Sequence, residues 1–227
     1  MTSHSDEISK QEEFVMRIKG ASYEAIAEAG GGILNSARKL RATSEDALFE
    51  SAKLRVAEMI TQGTTTLEIK SGYGLSVDSE LKMLRVIKRL KEAFPIVIRA
   101  TFLGAHAFPE AFKERKDDYV QLIIEDMLPA IVAEDLADHV DVFCESGFFS
   151  QTQANRVIQA AKKYGLPAKI HGNQLGYSGG VQVAVQNECW SVDHLEFTRE
   201  EEWNVLLESF KQPFGGTLPV ALPGVSY

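Results

Sequence analysis

Residues 139–194 read HVDVFCESGFFSQTQANRVIQAAKKYGLPAKIHGNQLGYSGGVQVAVQNECWSVDH. Two textures alternate along this stretch. His139 to Glu145 is a short strand-like run. Ser150 to Tyr164 carries apolar residues at helical spacing and is stopped by Gly165. Pro167 to His171 is strand-like again, Gly179 to Asn187 helix-like, and Trp190 to His194 strand-like. Strict alternation of strand and helix predicts parallel strands joined by right-handed crossovers.

The alternation extends in both directions. Upstream, a helix is predicted over Thr43 to Gln62, with Thr43 and Ser44 as caps and Glu45 and Asp46 at the positive end of the helix dipole. Thr64 to Ile69 reads as a buried strand, followed by the loop Ser71-Gly72-Tyr73-Gly74. A helix over Asp78 to Phe94 puts Leu81, Leu84, Ile87 and Leu90 on one face, with Lys82, Arg85, Lys88 and Lys91 as a solvated face. Then come a strand at Ile96 to Leu103 and a helix at about Asp117 to Glu134. Downstream, a helix at Arg199 to Phe210 leads to a strand at Thr217 to Ala221. Six strands result. No G-x-G-x-x-G follows the first of them, which removes the best support for a dinucleotide fold. Polar residues gather where strands end: Glu68, Lys70, His106, Glu145, His171 and His194. A barrel builds its active site at that rim, so the reading is a (β/α)8 TIM-type barrel, incomplete, with about six βα units.

The chain has 227 residues, with 24 Lys and Arg against 32 Asp and Glu, a formal charge of −8. That balance excludes a nucleic-acid backbone binder, which needs basic stripes. No run of 18 apolar residues exists, so no membrane span is predicted. Cys144 and Cys189 cannot make a disulfide scaffold, and a reduced, cytoplasmic setting is the default. Residues 1–12 read as a polar N-terminal segment containing His4, and 13–227 as the partial barrel domain. A helical piece at Ser22 to Ala29 and a break at Gly30-Gly31-Gly32 precede the first clear helix. An open six-unit barrel is expected to expose two strand edges and part of an apolar interior, which a partner would cover.

Three of the five histidines, His106, His171 and His194, stand at strand ends, where imidazole serves as metal ligand or acid–base group. His139 opens a strand at the opposite end, where a structural role is expected. Asp193 precedes His194, so on a strand their side chains point to opposite faces and form no simple dyad. Gln174, on the loop after His171, offers an amide donor and acceptor to a polar substrate. Tyr73 sits between two glycines on a loop that can present it over a pocket. Cys144 and Cys189 read as packing. Phe148 and Phe149 read as a loop anchor or a pocket wall.

Five motifs occur in order: Lys70-Ser71-Gly72-Tyr73-Gly74-Leu75, Thr101-Phe102-Leu103-Gly104-Ala105-His106-Ala107, Val140-Asp141-Val142-Phe143-Cys144-Glu145, His171-Gly172-Asn173-Gln174-Leu175 and Ser191-Val192-Asp193-His194-Leu195-Glu196. Together they resemble the imidazolonepropionase family of the amidohydrolase superfamily, from about Glu13 to Tyr227. The resemblance implies a distorted barrel with a small β-sandwich, one zinc or iron ion, a homodimer, and hydrolysis of 4-imidazolone-5-propanoate to N-formimidoyl-L-glutamate. It implies His171 as metal ligand, His194 as proton-handling residue near the metal-bound water, Gln174 at the imidazolone ring, and Tyr73 and His106 as substrate-binding residues. The family's His-x-His metal pair is absent from this sequence, as is the arginine that follows it, and the last-strand Asp ligand falls beyond Tyr227. The expectation is therefore an internal segment, lacking the first strand, the last strand and the β-sandwich, that is inactive alone. Two other readings stand beside this one: another metal-dependent cyclic-amide or aminohydrolase, and a non-catalytic degenerate barrel.

Overall fold

The computed structural model describes residues 15, 16, 18–20 and 32–221. His4, the polar segment 1–12, the helical piece at 22–29 and the last six residues lie outside them. The described elements are α1 (Gly32–Ala42), α2 (Glu45–Thr61), β1 (Thr66–Lys70), α3 (Val77–Ala93), β2 (Val97–Ala105), α4 (Lys116–Leu122), α5 (Leu128–Ala133), β3 (His139–Cys144), α6 (Gln151–Lys163), β4 (Ala168–Gly172), α7 (Gly180–Gln186), β5 (Ser191–His194), α8 (Glu200–Ser209) and β6 (Leu218–Ala221). A π-helical stretch, Ile123–Met127, joins α4 to α5. None of the described helices is long and apolar enough to cross a membrane.

Local chemistry sets the boundaries. Ser44 caps α2 by accepting the Ala47 N–H. Ser150 and Gln153 form a reciprocal capping box on α6, satisfying two backbone donors that a helix start leaves unpaired. The α1 helix was not predicted from the sequence. It is fixed by tertiary contacts: Arg41 donates to Gly74 O and Leu75 O, and Lys82 donates to the Leu40 and Thr43 carbonyls at its end.

All six strands are parallel and lie in sequence order, β1 to β6. Lys70 on β1 reaches Asp193 on β5 at 3.2 Å, and Lys169 on β4 reaches Glu68 on β1 at 2.8 Å. In a flat sheet β1 and β5 would stand roughly 19 Å apart, beyond any lysine's reach. The sheet therefore curls like part of a barrel wall. Its convex face is apolar: Ile98, Ala100, Phe102, Val140, Val142, Ile170 and Val192 are buried against the helices. Gly172 and Gly180 let β4 and α7 approach closely, since a Cβ on Gly180 would lie 2.8 Å from the Gly172 Cα.

The concave face corrects the expectation of an exposed apolar interior. It carries Glu68, Lys70, Thr101, Asp141, Lys169 and Asp193, joined by ion pairs and hydrogen bonds. Two further readings change. The first strand is half-exposed rather than buried, because β1 has one strand neighbour among the described residues. The basic residues of α3 are not a free solvated face: Arg85 and Lys88 bind Glu134, and Lys91 binds Asp138, which fastens α3 to the end of α5 and the start of β3.

Candidate active site at the mouth of the sheet

His106, His171 and His194 meet at the C-terminal rim. A series of ring contacts runs along it: Tyr73 to His106 at 5.1 Å, His106 to Phe143 at 5.8 Å, Phe143 to His171 at 6.3 Å, and His171 to His194 at 5.0 Å. Phe148 packs on Phe143 at this mouth, whereas Phe149 is wholly buried and stacks on Phe108 in the core. His139 lies at the other end of its strand, edge-on to Trp190.

Each rim histidine is held through Nδ1. His106 Nδ1 donates to the Gly72 carbonyl at 3.1 Å, His171 Nδ1 to Asp141 at 3.0 Å, and His194 Nδ1 faces Glu196 Oε1 at 3.3 Å. An acceptor at Nδ1 fixes the neutral ring's proton there and leaves Nε2 as the basic nitrogen. Burial lowers the His106 pKa to about 4, so this ring is neutral near pH 7. Burial, helped by His171, also lowers that of His194 against the opposing pull of Glu196.

Alternation along β5 would turn His194 toward the helices, opposite Asp193. Asp193 does point into the concave face, to Lys70 and Ser191. His194, however, has φ +91° and Leu195 φ +67°. This left-handed exit from the strand brings the His194 ring beside His171, and such strain in a non-glycine residue is often found at functional sites.

Two loops complete the mouth. The loop with Tyr73 is clamped by Glu80, wholly buried on α3, whose carboxylate accepts the N–H groups of Gly72 (2.8 Å), Gly74 (2.7 Å) and Leu75 (3.0 Å). Gly72 has φ +105°, and a Cβ there would lie 2.6 Å from Leu103 O, so glycine is required. The loop with Gln174 is tied to the end of β3, where Glu145 Oε1 accepts the Gln174 N–H at 2.6 Å. It is tied also to the loop after β5, where Asn173 Nδ2 donates to Phe197 O. Burial pushes the Glu145 carboxyl up, against those backbone donors.

Behind His171 lies the charged concave face. Burial pushes the Asp141 carboxyl up, but His171 and Lys70 outweigh it and hold it well below the usual range. Burial likewise opposes the charge of Lys70, yet Asp141, Asp193 and Glu68 raise its pKa above the usual lysine value. Ligand atoms of Asp141, His171 and Asp193 lie within 4.8 Å of one another, a possible metal group. Lys70 Nζ already contacts both carboxylates, at 2.6 and 3.2 Å. Asp141 also holds His171 through Nδ1, which leaves Nε2 as the ring's remaining donor atom.

The five residues singled out from sequence are Tyr73, His106, His171, Gln174 and His194. The structure brings the rings of four of them together and puts Gln174 on the adjoining loop. Lys70, Asp141, Asp193, Glu80 and Arg41 carried no assigned role. For the first three the signal was present: in TLEIK, HVDVF and SVDH, charged residues alternate with apolar ones, and in a barrel the face away from the helices is the interior. Nothing local marks Glu80 or Arg41.

No family model matches the chain. By sequence it is 54% identical over 216 residues to the imidazolonepropionase of Flavobacterium psychrophilum, covering 95% of this chain and 51% of that protein. It is 52% identical over 219 residues to the imidazolonepropionase of Flavobacterium johnsoniae, covering 96% and 52%. The chain thus resembles imidazolonepropionases and spans about half the length of the curated relatives it matches. Its fold is similar to that of guanine deaminase from C. acetobutylicum, with TM-score 0.58 at 14% identity over 83% of this chain and 46% of that one.

Proposed function

We propose that this imidazolonepropionase-like chain forms the rim of a hydrolase acting on 4-imidazolone-5-propanoate. Water adds to the ring carbonyl carbon, the bond from that carbon to the ring nitrogen breaks, the released nitrogen takes a proton, and the product is N-formimidoyl-L-glutamate. The observation that carries this reading is the convergence of three Nδ1-anchored histidines and Tyr73 on one mouth. His171 would hold one zinc or iron ion, which when bound polarises a carbonyl and acidifies water. Neutral His194 accepts the proton of the attacking water and returns it to the leaving nitrogen. Tyr73 and His106 bind and orient the substrate, with Gln174 at the ring. The buried, free cysteines suit a reducing cytoplasm, and two copies associate as a homodimer.

Turnover is the test. The chain, and the gene product that carries it, are supplied with Zn²⁺ or Fe²⁺ and 4-imidazolone-5-propanoate, and N-formimidoyl-L-glutamate is quantified. We expect turnover by the gene product and none by the chain alone, and we expect His194→Ala in the gene product to lower kcat by about 10²–10⁴-fold. Hydrolysis of another cyclic amide or an aminopurine in place of this substrate would move the assignment elsewhere in the amidohydrolase group. A folded, metal-loaded gene product with no turnover would refute the enzyme reading.

A further inference from the structure

We infer that Lys70 is the resident cation of this site: its ammonium occupies the space between the Asp141 and Asp193 carboxylates and so directs a divalent ion to the Nε2 side of His171. Asp141, His171 and Asp193 place ligand atoms within 4.8 Å of one another, close enough to suggest a three-donor metal site. That space is already claimed. Lys70 Nζ lies 2.6 Å from Asp141 Oδ2, 3.2 Å from Asp193 Oδ2 and 3.7 Å from Glu68 Oε1. An ion bonded to those oxygens at about 2.0–2.2 Å would sit almost in contact with the ammonium, beside carboxylates that are themselves buried, so two like charges would be weakly screened.

Lys70 is held by three carboxylates at once. It ends β1, its Cα is paired with Thr101 on β2, and every carboxylate it can reach lies on the concave face. Lys169 guards the other flank, 2.8 Å from Glu68 Oε2 and 3.9 Å from Asp193 Oδ2. Two ammonium groups thus face three carboxylates, and the pairing is nearly complete without a metal. Asp141 also accepts from His171 Nδ1, so the donor that His171 has left is Nε2. Lys70 is on this account a positioning residue: it holds Asp141 in place behind the imidazole and keeps both carboxylates out of the coordination sphere.

The inference rests on the proposed reading only in expecting a divalent ion at this mouth. Its test reads binding of Zn²⁺ alone, so it can fail while the hydrolase reading stands, and the reverse. The 227-residue chain is labelled with ¹⁵N-lysine, and the sheltered Lys70 Nζ resonance is assigned by its loss in Lys70→Met. We expect that resonance to persist unshifted in a large excess of Zn²⁺. Its displacement by Zn²⁺ would overturn the inference. In a second arm, Lys70→Met is expected to gain Zn²⁺ affinity by about tenfold or more over the native chain. That gain should disappear in Lys70→Met/Asp193→Asn, and Lys70→Arg should bind as the native chain does. A folded Lys70→Met protein with unchanged affinity would also overturn it. If Lys70→Met does not fold, the resonance is assigned by Lys70→Arg and the first arm decides alone.

Discussion

His106 donates its Nδ1 proton to Gly72 O, and burial lowers its pKa to about 4 from an ordinary 6.5. The unfolded chain therefore takes up a proton near pH 6.5 that the folded chain resists until about pH 4. Between those values the unfolded state binds more protons, so native stability falls as pH falls, and the loss is complete below about 4. The size is on the order of 3 kcal/mol. Urea unfolding at stepped pH should show this decline, and His106→Asn should flatten it; an equal slope in the variant would count against the burial argument. Asp141 works in the same sense, in a window lower on the pH scale. Its side chain is fully buried with Lys70 at 2.6 Å, and its stability contribution, present above the unfolded carboxylate pKa, is lost as pH falls below it. Asp141→Asn strips Lys70 of its nearest counter-charge and should cost about 3–5 kcal/mol, read as a drop in the urea midpoint at constant m.

At the scale of elements, α3 ties the loop of the site to the rest of the fold. Its buried Glu80 collects three backbone N–H groups of the loop that carries Tyr73, while its basic face fastens α5 and β3. Glu80→Ala would leave those donors unpaired beneath the loop. We expect a loss of about 3–5 kcal/mol and, in crystals of the variant or by amide exchange, a loosened 71–75 loop. Protection of those amides equal to the native chain's would refute the clamp. The Ser150 capping box is a smaller device: Ser150→Ala should cost about 1 kcal/mol, a shift thermal unfolding can resolve. These devices also explain what could be read in advance. The spans of α2, α3 and α6 were legible within a residue or two, because caps and apolar periodicity are local signals. The α1 helix was not, because Arg41 and Lys82 fix it through partners more than 30 residues away. The histidines of the rim were legible as strand-end residues. The left-handed turn at His194 was not, since no glycine marks it.

At the scale of the whole molecule, the sheet is apolar on its convex side and ionic on its concave side. Parallel order was legible from the alternation of strands and helices. The curl was legible as well, because polar residues gathered at the strand ends point to a barrel rim, and contacts such as Lys70 with Asp193 across four strand intervals bear it out. The ionic lining bears on association. A concave face whose charges are paired internally gains little from being covered, so it does not drive two copies together. The strand edges are the surfaces left to pair: among the described residues β1 pairs only with β2 and β6 only with β5, and Val97 and Leu218 near those edges are half-exposed. Thr65 O accepts from Val97 N, and Ser71 N donates to Thr101 O, so the backbone N–H and C=O groups of the odd residues of β1 point at β2 and those of the even ones point away from it. Thr66→Pro removes an outward donor and leaves the β1–β2 ladder intact. Light scattering should find the native chain associated at high concentration and the proline variant shifted toward monomer. Association unchanged by Thr66→Pro, but weakened by charge reversal on the concave face, would place the contact on the ionic surface instead.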